Sequence, residues 1–210
     1  MKIETLSVHV GRDVTPDSGA VAPPIQMSST FQRDADGSYS RGYSYAREGD
    51  PGRSALERCL AALEGGAEAF AFSSGSAASL AVFSLLRPGD HVIAPIECYH
   101  GTAKQLRELI GPYGVSCSFV DLTRADLLQA VLSDETRLVW IETPSNPMLK
   151  LSDIERISQL AHARGALVCV DNTFATPLWQ RPFELGADLV MHSSTKYFGG
   201  HSDVLGGALI

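Results

Sequence analysis

The stretch ALVCVDNTFATPLWQRPFELGADLVMHSSTK, residues 166–196, decides how this chain folds. It holds two short apolar runs, Ala166–Val170 and Asp188–His192, each followed at once by polar residues. ALVCV has no polar alternation, so a strand made from it must be covered on both faces. The first run leads into Asp171-Asn172-Thr173 and the second into Ser193-Ser194-Thr195-Lys196. A lysine just past a buried strand can be held at the carboxyl edge of a sheet, desolvated enough to act as an amine toward a carbonyl group. Lysines are mostly solvated surface residues. Lys196 therefore gains its meaning only from the rest of the chain.

Outward from this stretch the pattern repeats. Apolar runs predict strands over Ala67–Phe72, His91–Ala94, Val115–Val120 and Leu138–Glu142, and a further one begins at Ala208–Ile210. Between them, spacing and punctuation predict helices over Arg53–Leu63, Ser76–Leu86, Thr102–Ile110 and Ala125–Leu132. Another opens at Ser152, with Glu155 three residues on as a capping box, and closes at Gly165. Strands covered on both faces and separated by helices define an α/β fold with a mostly parallel, doubly wound sheet.

Residues 1–55 read differently. Gly, Pro and Ser are frequent and apolar periodicity is weak, which predicts an extended arm with short turns. A partner subunit is a natural surface for such an arm. The α/β domain is then expected over 56–210. The chain stops at Gly206-Gly-Ala-Leu-Ile210, inside a strand-like run, so the domain is expected to be truncated and the sequence a fragment.

Composition excludes several classes of function. The 210 residues are 44% hydrophobic and 20% charged, as in an ordinary globular chain. A net charge of −7 and the lack of any basic run argue against nucleic acid and against anionic membrane surfaces. No apolar run approaches the ~20 residues of a membrane span, and MKIETLSVHVGRD is not a secretory signal. The four cysteines form no CxxC pair; Cys117 and Cys169 lie in apolar runs and are expected to be buried thiols. A reducing, cytoplasmic setting fits them.

In doubly wound sheets, ligands bind beyond the carboxyl ends of the strands. The residues expected there are Ser73-Ser-Gly-Ser76, Glu97-Cys-Tyr-His100, Glu142-Thr-Pro-Ser-Asn146, Asp171-Asn-Thr173 and Ser193-Ser-Thr-Lys196. SSGSA opens a helix, whose free N–H groups and dipole favour an anion; Gly75 allows close approach, and Ser193 and Thr195 can add hydroxyl donors. A plain N-cap explains the same residues. Neither GxGxxG nor GK[ST] occurs, so no dinucleotide or nucleoside triphosphate loop is indicated.

Asp171 can keep a pyridine nitrogen protonated, or can be a cap or a structural ion-pair partner. Tyr99 can stack on a ring and exchange a proton through its hydroxyl, or can be a rim tyrosine. Asn146, between Pro144 and Pro147, can bind a carboxylate or a phenolic oxygen, or can be a turn residue. Tyr45 and Arg47 share one side of an extended segment and can grip one anion, or can sit in an exposed turn. His192 and His201 lack further suitably spaced ligands, so no zinc site is expected. A phosphate cradle, ring stacker, ring-nitrogen acid and amine together describe a site for pyridoxal 5'-phosphate (PLP).

VAPPI, the Tyr45-x-Arg47 segment, LEGGAEAFAFSSG, ETPSNP and the long block from VDNTFATP to HSSTKYFGGHSDVLGG carry a resemblance. On them the chain resembles the N-terminal portion of the Cys/Met-metabolism family of PLP-dependent trans-sulfuration enzymes, which includes cystathionine γ-synthases, γ-lyases and β-lyases and methionine γ-lyases. The resemblance implies an aspartate-aminotransferase type (fold type I) large domain. It also implies that Lys196 bears the cofactor as a Schiff base, that Asp171 pairs with the ring nitrogen and that Tyr99 stacks. Gly75, Ser76, Ser193 and Thr195 would hold the phosphate, and Asn146 would lie near the ring hydroxyl and the substrate carboxylate. Tyr45 and Arg47 would reach the phosphate of a neighbouring subunit in a homotetramer built as a dimer of dimers. The implied substrate is a small amino acid, with γ-replacement or γ-elimination as the reaction; β-elimination and a non-catalytic remnant remain alternatives.

Three departures stand out. Ser76 replaces a common Met, Asp50 replaces a common Asn, and His100-Gly101 follows Tyr99 where methionine γ-lyases resemble Gly-Cys. The missing Cys argues against that member. The family's carboxylate-binding Arg belongs to a C-terminal domain.

Overall fold

A computed structural model describes residues 2–210. The chain divides into two compact units, one reaching to Ala71 and the other comprising Phe72–Ile210.

The first unit departs from a plain arm. It opens with a helix, α1 (Ile3–His9), that buries none of its residues. With nothing to bury, it leaves no apolar stripe in the sequence to reveal it. A turn-rich segment follows, in which Tyr45 bridges antiparallel to Thr30. The next helix, α2 (Pro51–Glu64), starts two residues earlier than the apolar spacing predicts. Asp50 sets that start by accepting the Arg53 N–H at 3.0 Å, and Pro51 occupies the first turn, where its missing N–H costs nothing. Gly65 ends α2 in the left-handed conformation. A short strand, β1 (Phe70–Phe72), is three residues shorter at its start than predicted.

The second unit carries α3 (Gly75–Phe83), β2 (His91–Pro95), α4 (His100–Lys104), β3 (Ser116–Val120), α5 (Ala125–Val131), β4 (Thr136–Glu142), α6 (Ile154–His162), β5 (Leu167–Asp171), α7 (Thr176–Trp179), β6 (Leu189–His192) and β7 (Gly207–Leu209). Across its sheet the strands run β7-β6-β5-β4-β2-β3. All pairs from β3 to β6 are parallel, and β7 runs antiparallel to β6. This is the mostly parallel α/β sheet that the apolar runs predict.

Alternate residues of each central strand enter different cores, which is why the runs show no polar alternation. Ile93, Val139, Ile141, Val168 and Val170 pack with Leu128 of α5 and Ile154, Ile157 and Ala161 of α6. Val92, Ala94, Leu138, Trp140 and Cys169 pack on the other face with Ala78, Val82 and Phe83 of α3 and with Leu106 and Ile110. The chain leaving β2 therefore crosses one face, and the chain leaving β4 crosses the other. The sheet's switch point falls between β2 and β4, and a crevice opens there at the carboxyl edge.

Three local expectations are corrected. The Thr102–Ile110 helix is α4 followed by a wide π-type turn over Gln105–Ile110. Gln105 fixes this segment: its Nε2 donates to the Ser76 carbonyl at 2.7 Å, and its Oε1 accepts from Ser79 Oγ at 2.8 Å. The cap of α6 is Asp153, not Ser152; Asp153 accepts the Arg156 N–H at 2.9 Å, while the Ser152 N–H donates to Thr143 Oγ1. Cys169 is fully buried as expected, but Cys117 is only half-buried.

Candidate active site

A cleft of about 180 Å³ lies at the carboxyl edge of the second unit. Gly75, Ser76, Tyr99, Asn146, Asp171, Ser193, Thr195 and Lys196 all line it. Residues up to 121 positions apart in sequence meet because each ends or follows a strand of one sheet. Tyr45 and Arg47 belong to the first unit, where the Arg47 guanidinium lies over the Tyr45 ring at 4.9 Å from its centroid. The segment is a turn rather than extended chain, the Glu48 N–H donating to the Tyr45 carbonyl at 2.9 Å, so the two side chains meet through that turn and not through the alternation of a strand.

The N-terminus of α3 forms one wall. Ser74 caps it, its hydroxyl accepting the Ala77 N–H at 3.1 Å. Both readings of SSGSA therefore coexist: Ser74 is the cap, and the backbone of Gly75 and Ser76 occupies the first turn, where N–H groups lack intrahelical partners. A Cβ on Gly75 would stand 2.8 Å from Ser193 Cβ, so only glycine lets these two backbones approach. Thr195 is engaged locally: its hydroxyl donates to the Gly206 carbonyl at 3.1 Å and accepts the Gly206 N–H at 3.0 Å.

Asp171 ends β5 and is buried. Thr173 holds it, donating to Oδ1 from its hydroxyl at 2.5 Å and from its N–H at 3.1 Å. The same Thr173 hydroxyl accepts the Ser193 N–H at 2.9 Å, so the two strand ends are tied through one side chain. Burial pushes the Asp171 carboxyl up, against the pull of the Thr173 bonds and of His192. An acid in that state is stabilised in its charged form by a nearby cation such as a pyridinium.

Tyr99 precedes α4 and is about two-fifths exposed, its ring edge-on to His100 at 4.5 Å. Gly101 is required beneath it, because a Cβ there would meet the Tyr99 ring at 2.4 Å. Asn146 is half-buried between two prolines that both follow cis peptide bonds. Lys196 differs from expectation: it is exposed rather than desolvated. It lies in a turn after β6 that projects beyond the sheet edge, where the Gly200 N–H donates to the Lys196 carbonyl at 2.8 Å.

Two residues escape a reading of the sequence by motif. Thr173 carries the hydroxyl and N–H that orient Asp171, and Glu142 lies beside Asp171 as its register partner on β4. Glu142 is buried at 5% exposure, and burial together with the Asp171 charge pushes it up to about 7. Its signals in the sequence were its position at the end of a continuously apolar strand and its place at the head of ETPSNP, neither of which assigns it a role. Among the described residues, no group of three or more His, Cys, Asp or Glu is placed to hold a metal, and no helix is long and apolar enough to cross a membrane.

The fold and the cleft define an α/β protein whose sheet edge offers an anion cradle, a buried acid, an aromatic face and an amine to one planar, phosphorylated group. Residues 4–210 match the family model described as Cys/Met metabolism PLP-dependent enzyme, and the chain belongs to that family. It is 49% identical over 207 residues to a cystathionine γ-synthase of Mycobacterium tuberculosis, covering 98% of this chain and 53% of that protein. It is 47% identical over 205 residues to a cystathionine β-lyase of Lactococcus lactis, covering 98% and 54%. Among solved structures it superposes on metB from Corynebacterium glutamicum with a TM-score of 0.97 at 41% identity, covering all of this chain and 55% of that one. The CalE6 structure from Micromonospora echinospora, described as a cystathionine γ-lyase, gives 0.94 at 45% identity and covers 55% of that chain. The architecture is thus the fold type I large domain that the resemblance implies. The chain spans about half the length of the curated relatives it matches.

Proposed function

We propose that the protein is a PLP-dependent trans-sulfuration enzyme acting on a sulfur amino acid or an activated homoserine by γ-replacement or γ-elimination. The observation that carries this reading is the convergence of Lys196, Asp171, Tyr99 and Gly75 on one cleft at the switch-point edge of the sheet. The residues present fit the cofactor: the close Gly75–Ser193 contact brings the Ser193 hydroxyl beside the free N–H groups of a helix N-terminus, where an anion's oxygens can be held, and Asp171 is a buried acid suited to a ring cation. When bound, PLP supplies an aldehyde for amines and a ring that withdraws electrons.

In this reading Lys196 would hold the cofactor through its amine and, with that amine free, would move the proton at the substrate's Cα. Its exposure suits a side chain that must swing between these positions. Asp171 holds the ring-nitrogen proton, with Thr173 fixing its carboxyl. Tyr99 lays its ring against the cofactor and exchanges a proton through its hydroxyl as the γ-substituent leaves. The backbone of Gly75 and Ser76 and the hydroxyls of Ser193 and Thr195 hold the phosphate; Thr195 does so by exchanging its bond to Gly206. Asn146 orients the substrate carboxylate. Tyr45 and Arg47 serve the phosphate of a neighbouring subunit in a homotetramer. A cytoplasmic setting accompanies this reading, since the four cysteines are free.

A β-elimination is the second reading, favoured by the similarity to the L. lactis cystathionine β-lyase. Product analysis with cystathionine separates the two: 2-oxobutyrate marks γ-elimination, pyruvate marks β-elimination, and cystathionine made from an activated homoserine and cysteine marks a synthase. The test of the site is borohydride reduction of the protein with PLP, followed by peptide mapping. A pyridoxyl group on Lys196, absent from Lys196→Ala, is the expected result. No adduct would overturn the reading in favour of a non-catalytic remnant.

A further inference from the structure

Glu142 sits where the sheet divides. The loop after β2 leads to one face and the loop after β4 to the other, and Tyr99 and Asn146 stand on these diverging loops. Glu142 Oε2 accepts the Tyr99 N–H at 2.7 Å, and Oε1 accepts the Asn146 N–H at 2.8 Å. One buried carboxylate thus spends each oxygen on a different loop. Asp171 stands beside it in register, and both residues line the cleft. A glutamate at a strand end that served only as a cap would satisfy its own loop; this one bridges two.

We propose that Glu142 is a positioning residue: its carboxylate ties the backbone of Tyr99 to that of Asn146 across the switch point. It thereby holds the stacking ring and the substrate-orienting amide in a fixed relation over Asp171. The inference rests on the reading of Tyr99 and Asn146 given above. Two short backbone bonds, one to each oxygen, are what such a brace needs, and they are strongest once the carboxyl is ionised, above about pH 7, because charge-assisted bonds exceed neutral ones. The groups around Glu142 are Asp171 on β5, Cys98 and Tyr99 after β2, and Glu97, Asp121 and Lys150 along its outer side. Lys150 is already paired with Glu97 at 2.9 Å, which leaves the two loop N–H groups as the partners of the Glu142 carboxylate.

Amide hydrogen exchange on the full-length holoenzyme tests the brace without reference to activity. In the wild type, the Tyr99 and Asn146 amides should both be protected. In Glu142→Gln, which keeps shape but can offer only one acceptor oxygen, exchange should rise about tenfold or more at one or both, while α6 is unchanged. The same variant should still trap PLP on Lys196. Its KM for the amino acid should rise at least about tenfold, with kcat within about threefold. Unprotected Tyr99 and Asn146 amides in the wild type, or an unchanged KM in a folded Glu142→Gln, would overturn the proposal. Failure of wild-type protein to trap PLP would instead remove the parent reading, and the exchange pattern would still decide the brace.

Discussion

Gly75 and Ser193 approach so closely that a methyl on Gly75 would lie 2.8 Å from Ser193 Cβ. The contact joins the start of α3 to the turn after β6. Helix propensity alone would make Gly75→Ala stabilising by up to about 1 kcal/mol. Overpacking works in the opposite direction by about 1–3 kcal/mol, so the variant should lower the urea midpoint and weaken PLP binding. Ser193→Gly removes the opposing Cβ but leaves the backbone Cα at 3.0 Å from the added methyl, so the double variant should recover only part of the midpoint. A double-mutant cycle with no coupling would show that the contact is not tight.

Glu142 gives stability an unusual pH dependence. Burial pushes its carboxyl up from the ordinary 4.5 to about 7, so the folded state holds a proton that the unfolded chain releases. The resulting stabilisation is present below about 4.5 and is lost as pH rises through about 7; the shift sets its ceiling at about 3 kcal/mol. Denaturation of wild type and Glu142→Gln at pH 5 and pH 8 should therefore show the wild type losing ground to the variant at the higher pH. Asp171 shifts in the same direction and its charge couples to Glu142, so the difference reports how the pair responds to the loss of one carboxyl.

His91 should act with the opposite sign. It is buried where β2, β3 and β4 begin, with Nδ1 on Thr136 Oγ1 at 2.9 Å and Nε2 on Ser118 Oγ at 3.0 Å. Burial lowers its pKa below the ordinary 6.5 of a histidine, against the pull of Glu135. The unfolded chain then binds the proton more readily, and the contribution of neutral His91 is lost as pH falls below 6.5. His91→Ala should cost about 1–3 kcal/mol at pH 8 through the two orphaned hydroxyls. It should also show a shallower loss of urea midpoint between pH 7 and pH 5. An equal loss in both proteins would assign the acid sensitivity elsewhere.

The parts of the fold that the sequence disclosed are those where burial dictates composition. ALVCV had to be a strand covered on both faces, and Cys169 between Val168 and Val170 does alternate between two cores. The polar residues after such strands had to lie at one edge, which brought Asp171 and Lys196 together before any coordinate. Helix α1 was illegible because it buries nothing. The Ser152 box failed because Asp153, one residue on, offers a carboxylate in place of a hydroxyl to the same helix start. Glu142 was in view at the head of ETPSNP but without a role; its meaning lies in bonds to two backbones 47 residues apart, which no local pattern records.

The proposed contribution of Arg47 across subunits can be read by complementation. If Lys196 of one subunit and Arg47 of its neighbour serve one site, Lys196→Ala and Arg47→Ala should each be inactive or nearly so. Mixed under conditions that exchange subunits, half of the dimers are hybrids, and each hybrid has one intact site and one doubly defective site. Symmetry then predicts recovery of on the order of a quarter of wild-type activity. If Arg47 served the site of its own subunit, each site in a hybrid would carry one lesion, and mixing would recover nothing. The cation–π contact between Arg47 and Tyr45 adds a control. Tyr45→Phe keeps the ring beneath the guanidinium but removes the hydroxyl assigned to the phosphate, and Tyr45→Ala frees Arg47 as well, so complementation should fall in that order.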